Sequence, residues 1–203
     1  MADHYYTATP HSQSNQQTIE VKLVGLDLHF TTDNGVFSKQ RMDFGSHLLV
    51  ETFAQEVQLA ESILDLGAGY GAMTIALAKL YPQAHLVGVE LNERALNLAQ
   101  TNQDLNRVES ISWLQADATS INLDVMFDFV ITNPPIRAGK AVIQAFVDQA
   151  YKYLNPGGQV WVVIQKKQGA PSMMDYLQAS FGNVTKLKQD KGYWILVSTK
   201  ESV

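Results

Sequence analysis

The chain has no cysteine in its 203 residues. That excludes a disulfide framework, a thiolate nucleophile and a zinc–thiolate site, and it fits a cytoplasmic address. No window reaches the ~18 uninterrupted apolar residues of a membrane span. Met1 to Gln17 is polar, with no basic segment followed by an apolar one, so it does not read as a signal peptide. An excess of positive charge is also missing: 15 Lys and Arg stand against 20 Asp and Glu, a net charge of −5. A non-specific nucleic-acid binder is usually basic, so contact with a polyanion would have to come from local patches. Lys39/Arg41, Arg137/Lys140, Lys166/Lys167 and Lys186/Lys188/Lys191 are the candidates, and each taken singly reads as a solvated face, except Arg137/Lys140, which sits directly after Asn133-Pro134-Pro135-Ile136. His4, His11, His29, His47 and His85 are dispersed, without metal-ligand spacing, so no metal site is expected. No serine stands in G-x-S-x-G, which argues against an α/β-hydrolase.

What is present is the composition of a globular protein, 46% apolar and 17% charged. Residues 1–17 read as a polar, flexible leader, and residues 18–203 as one domain. Within it, 18–60 predicts a small N-terminal β-hairpin (18–24 and 26–31) and a helix over 46–55. From Ser62 to the end, strand and helix signals alternate. Strands are expected at 62–66, 85–90, 111–115, 127–132, 159–164, 183–187 and 192–198. Helices are expected at 72–80, 93–102, 140–153 and 171–180. Such alternation predicts an α/β fold: a Rossmann-like, seven-stranded, mostly parallel sheet with helices on both faces and an antiparallel last strand.

Two motifs carry chemistry. Asp65-Leu66-Gly67-Ala68-Gly69-Tyr70-Gly71 follows a strand and opens a helix, where glycines allow a tight turn and close backbone approach to a ligand. Glu90, with Leu91 beside it, ends the next strand and can accept from both hydroxyls of a ribose. The pattern also satisfies a dinucleotide fingerprint, so NAD and S-adenosylmethionine (SAM) both remain open on the loop alone. Two acids favour SAM. Asp65 can meet the ammonium of a methionine moiety but would repel a pyrophosphate. Asp117, ending the third strand, can accept from an adenine amine, with Ala118 offering its backbone N–H. All lie at carboxyl ends of consecutive strands, where open α/β sheets bind ligands.

The second motif is Asn133-Pro134-Pro135-Ile136, directly after the apolar run 127–132. Two prolines end the ladder and hold the chain rigid. The Asn133 side-chain oxygen and the Pro134 carbonyl can accept both protons of a planar amine and aim its lone pair at a methyl donor. Catalysis of that kind, through Asn133 and Pro134, needs no strong base. Pro135, Ile136, Arg137 and Lys140 would line the substrate side. Phe37 reads equally as a stacking residue and as ordinary core. Trp113, Trp161 and Trp194 read as core. Tyr70 could cover the cofactor or pack on the helix, and Tyr5 and Tyr6 could fold over the site.

These residues, together with Gly35-Val36-Phe37-Ser38, Asp43-Phe44-Gly45, Gly88-Val89-Glu90 and the run 161–170, resemble the class I SAM-dependent methyltransferases. Within them the chain resembles the small-domain family that modifies guanine N2 of ribosomal RNA. The resemblance runs from about Thr18 to the C-terminus. It implies that Asp65 to Gly71, Glu90 and Asp117 hold SAM, that Asn133 to Ile136 holds the target base, and that ribosomal RNA or a ribosomal subunit is the partner. Two departures stand out. Many amino-methyltransferases with this motif have an aromatic fourth residue that stacks on a flipped base; Ile136 makes adenine a poorer target. The two-domain guanine-N2 enzymes carry a further N-terminal domain where this sequence has the hairpin and leader. A protein glutamine amide would suit the same acceptor geometry, an NAD-linked oxidoreductase is the alternative from another class of reaction, and a non-catalytic SAM sensor is a third.

Overall fold

The computed structural model describes residues 13–202; the proposed placement of Tyr5 and Tyr6 lies outside them. The chain opens with a hairpin, β1 (Gln17–Leu23) and β2 (Leu26–Thr32), paired antiparallel. Alternate residues Ile19, Val21, Leu23, Leu28 and Phe30 point inward, as period-two patterning requires. After α1 (Phe44–Glu56) come β3 (Ser62–Leu66), α2 (Ala72–Leu80), β4 (His85–Glu90), α3 (Glu93–Leu105), β5 (Ile111–Gln115), β6 (Phe127–Thr132), α4 (Lys140–Tyr153), β7 (Leu154–Gln165), α5 (Ala170–Phe181), β8 (Thr185–Asp190) and β9 (Tyr193–Thr199).

The main sheet has seven strands in the order β5-β4-β3-β6-β7-β9-β8. Five are parallel, and β9 runs antiparallel to both its neighbours. The order reverses between β3 and β6, which places a crevice at the carboxyl ends of those two strands. One apolar layer joins α1, α2, α3 and the hairpin to one face; a second joins α4 and α5 to the other. Ile63 belongs to the first layer, Leu64 and Leu66 to the second.

The hairpin docks through asparagines. On α3, Asn102 Oδ1 accepts from the Thr31 N–H (2.6 Å) and its Nδ2 donates to the Thr31 carbonyl (3.0 Å). One turn on, Asn106 does the same for His29, at 3.1 and 2.6 Å. Two side chains four residues apart thus complete the open edge of β2 in place of a third strand. This long-range pairing carries α3 beyond the expected end at Asn102. The other shifts are local. Helix α1 starts at Phe44, not Ser46, because Asp43 caps it, accepting from the Ser46 N–H. Strand β7 begins at Leu154, not Gln159. A register slip opposite β6 takes up the Pro156 segment, and Gly157 and Gly158 exchange hydrogen bonds with Lys200.

Candidate active site

The crevice at the strand ends is a cleft of about 830 Å³, open mouth included, formed by β3, β4 and β6 ends, α1 and the loop before it. One wall is backbone. Gly67, Gly69 and Gly71 all adopt positive φ (79°, 58° and 87°), which a side chain would strain. The loop is tied back to β4: the Gly67 and Ala68 N–H groups both donate to the Val89 carbonyl at 2.9 Å. Glu90 completes the tie, with Oε2 accepting from the Gly69 N–H and Oε1 from the Asn92 N–H, each at 2.8 Å. Burial raises the Glu90 pKa, and these N–H groups, with that of Leu91, offset part of the rise. Gly67, Ala68, Gly69, Glu90, Leu91 and Ala118 line the cleft, beside Tyr70, Met73, Ala95 and Phe146. Tyr70 is buried, lines the cleft, and meets Phe30 of β2 edge-on.

Two of the predicted acids stand differently from expectation. Asp65 is fully buried and not on the cleft lining. Its Oδ2 accepts from the Thr74 hydroxyl at 2.7 Å, while Oδ1 has no hydrogen-bond partner. Burial pushes this carboxyl up to about 7, with Thr74 opposing and Glu90 adding to the rise. A buried carboxylate oxygen without a partner, behind a glycine loop, fits a cationic ligand such as the methionine end of SAM. Asp117 turns into its own loop, where Oδ1 accepts from the Thr119 N–H (2.9 Å) and hydroxyl (2.7 Å). This Asx turn keeps Asp117 off the cleft lining, while the adjoining Ala118 is on it.

Across the cleft stands Asn133, at the end of β6. Its Nδ2 donates to Asp43 Oδ2 (3.0 Å) and to Ser46 Oγ (2.9 Å), both from the start of α1. With both amide protons spent there, Oδ1 is the atom left for a ligand. Pro134 and Pro135 line the cleft with it. A second recess adjoins on this side and shares Phe37, Ser38, Asp43, Asn133 and Pro134 with the cleft; Ile136, Arg137, Gln165, Gln168 and Tyr193 extend it. Phe37 is 39% exposed and lines both spaces, which rules out the core reading; the neighbouring Val36 is the buried residue. Lys140 stands exposed at the start of α4 and lines neither space. Trp161 is core, whereas Trp113 and Trp194 are only partly buried. Among the described residues no cluster of His, Asp and Glu could hold a metal, and no helix is long and apolar enough to cross a membrane.

Asp43, Ser46, Met42 and Tyr193 were not singled out by the site motifs. For Asp43 a signal existed: an acid three residues before a serine at a helix start reads as a cap. Nothing in the sequence points from it to Asn133, 90 positions away.

A glycine loop clamped to an acid at the next strand end, facing an Asn-Pro-Pro at the switch point of the sheet, defines a methyltransferase of the Rossmann-like kind. The methyltransferase small domain family matches residues 27–197, and the chain belongs to that family. It is a SAM-dependent methyltransferase, which removes the NAD reading. An uncharacterized protein of Bacillus subtilis, YbxB, is 40% identical over 202 residues, covering 98% of this chain and all of that one. Ribosomal RNA small subunit methyltransferase C of Haemophilus ducreyi is 28% identical over 171 residues, 82% of this chain and 51% of that protein. The solved T. thermophilus 16S rRNA N2 G1207 methyltransferase (RsmC), in complex with AdoMet and guanosine, superposes with a TM-score of 0.83 at 30% identity, covering 95% of this chain and 52% of that one. The chain thus spans about half the length of these named methyltransferases.

Proposed function

We propose that this enzyme methylates an exocyclic amine, and that the amine is guanine N2 of small-subunit ribosomal RNA. The observation that carries the reading is the Asn133 amide, whose nitrogen is bound to Asp43 and Ser46 so that its oxygen is left for an incoming N–H. Likeness to the Haemophilus and Thermus enzymes supports the choice of base and RNA.

When bound, SAM supplies a methyl group made electrophilic by its sulfonium. The chain's own residues do the rest. Gly67, Ala68 and Gly69 present backbone close to the ligand, while Gly71, off the cleft lining and packed against Trp113, turns the chain into α2; Glu90 accepts from ribose hydroxyls with its remaining lone pairs, and Leu91 and Ala118 flank the adenine. Asp65, fully buried and off the cleft lining, acts on the cationic methionine end by its charge from behind the glycine loop, its Oδ1 unpartnered. Asp117 holds the loop that carries Ala118. On the other side, Asn133 Oδ1 and the Pro134 carbonyl accept the two amine protons. This fixes the nitrogen in line and steadies the positive charge it acquires before a proton leaves to solvent. Pro135 keeps the segment rigid, and Phe37 and Ile136 bracket the base. Arg137, lining the recess, and Lys140, exposed beyond it, meet phosphates. A substrate of this kind places the enzyme in the cytoplasm, beside ribosomal RNA or an assembling subunit.

The test is transfer of label from tritiated SAM into RNA or small subunits from cells lacking the protein, followed by nucleoside analysis. Label in N2-methylguanosine is the expected result. Label in a protein glutamine and none in RNA would overturn the choice of substrate.

A further inference from the structure

We propose that Asp43 is the positioning residue that holds the Asn133 amide with its nitrogen inward and its oxygen toward the methylation site. The inference rests on the role given to Asn133 above.

The two ends of an amide are nearly equal in shape and opposite in hydrogen bonding, so its neighbours decide which way it points. Ser46 Oγ, 2.9 Å from Nδ2, cannot decide, because a hydroxyl can donate or accept. A carboxylate only accepts. Asp43 Oδ2 lies 3.0 Å from Asn133 Nδ2; a turned amide would set two acceptor oxygens at that separation and aim N–H groups at the incoming amine. Asp43 is itself held. The same Oδ2 accepts from the Ser46 N–H (3.1 Å) as the cap of the 13-residue helix α1. The Tyr193 hydroxyl donates to Oδ1 at 3.4 Å, from the first residue of β9. The meeting depends on Gly45: a Cβ there would come within 2.7 Å of the Tyr193 ring and 2.9 Å of Asp43 Oδ2. Three segments far apart in sequence thus converge to orient one side chain.

Asp43→Ser tests this, since serine still caps a helix but is too short to span to Asn133. Asp43→Asn is its partner: the Ser46 N–H needs an acceptor at the Oδ2 position, which keeps the new amide's oxygen on that side, where it can still accept from Asn133 Nδ2. Turnover and SAM Kd by calorimetry are read on both, on Asn133→Ala, and on Asp43→Ser combined with Asn133→Ala; the side-chain amide resonances of Asn133 are read on the unchanged protein and on the two Asp43 variants. Asp43→Ser should lower kcat about 10–100-fold with SAM Kd within about threefold, as misplacement of a reacting group does. Asp43→Asn should recover most of the loss. The double variant should turn over no more slowly than Asn133→Ala, and the amide protons should move upfield in Asp43→Ser. Losses that multiply, unmoved resonances, or an Asp43→Asn variant as slow as Asp43→Ser would overturn the inference and leave the role of Asn133 intact. Full turnover by Asn133→Ala would instead sink that role, while the resonances would still report on Asp43.

Discussion

The two sides of the cleft are built by different means. On the cofactor side the geometry is set by backbone: three glycines at positive φ, N–H groups donating to Val89, and Glu90 bridging Gly69 and Asn92. On the proposed amine side it is set by side chains that meet across 90 residues (Asn133 and Asp43) and 150 residues (Asp43 and Tyr193). A backbone-built site is stiff and tolerates few substitutions within the loop, because the conformation itself excludes side chains. A side-chain site depends on distant anchors, so changes far from it in sequence should alter the chemistry and leave cofactor binding alone.

The largest effect expected of the backbone side comes from Gly71→Ala. A Cβ there would lie 2.9 Å from the Trp113 ring at a φ of +87°, so strain and overlap add. A loss of about 2–4 kcal/mol in unfolding free energy, read from denaturant midpoints, is the expectation. An unchanged midpoint would mean the loop is not set by its glycines.

A smaller effect sharpens the electrostatic contrast. The Asp65 pKa is raised from the ordinary carboxylate range to about 7 in the folded protein, so between about pH 4 and 7 the native state holds more protons than the unfolded one. Its contribution to stability is therefore lost as pH rises through that window and stays lost above it. In the unliganded protein, Asp65→Asn should be the flatter of the two in that window and the more stable at pH 8. It should bind SAM more weakly, for want of the charge proposed to favour the cation from behind the loop. Equal pH profiles for the two proteins would mean that Asp65 does not carry this charge.

The smallest effect belongs to the outer rim. Replacing Arg137 and Lys140 with alanine should raise KM for RNA a few-fold, with kcat nearly unchanged. The salt slope should fall by about one unit for each phosphate no longer neutralised. An unchanged salt slope would place RNA elsewhere.

Legibility in the sequence follows the same division. Strands β3, β4, β5 and β6 and helix α2 lie where alternation of apolar residues places them, and the glycine loop is readable because its meaning is contained in seven contiguous residues. The end of α3 was not, because Asn102 takes its role from Thr31, 71 positions away; the start of α1 was set by the local Asp43 cap, which apolar periodicity alone does not register. Asp65 and Asp117 were visible as acids at strand ends. Their pattern could not tell that one would be sealed behind the loop and the other folded onto Thr119. Tyr193 gave no signal, since an aromatic at the start of an edge hairpin reads as packing.

The most direct test of the division is to measure SAM Kd and methyl-transfer rate side by side for Asn133→Ala and Glu90→Ala. Asn133→Ala should lose about 100-fold or more in rate with its Kd nearly unchanged, and Glu90→Ala should weaken SAM binding by at least about tenfold. If Asn133→Ala turned over normally, or lost SAM binding as Glu90→Ala does, the cleft would not divide into these two parts.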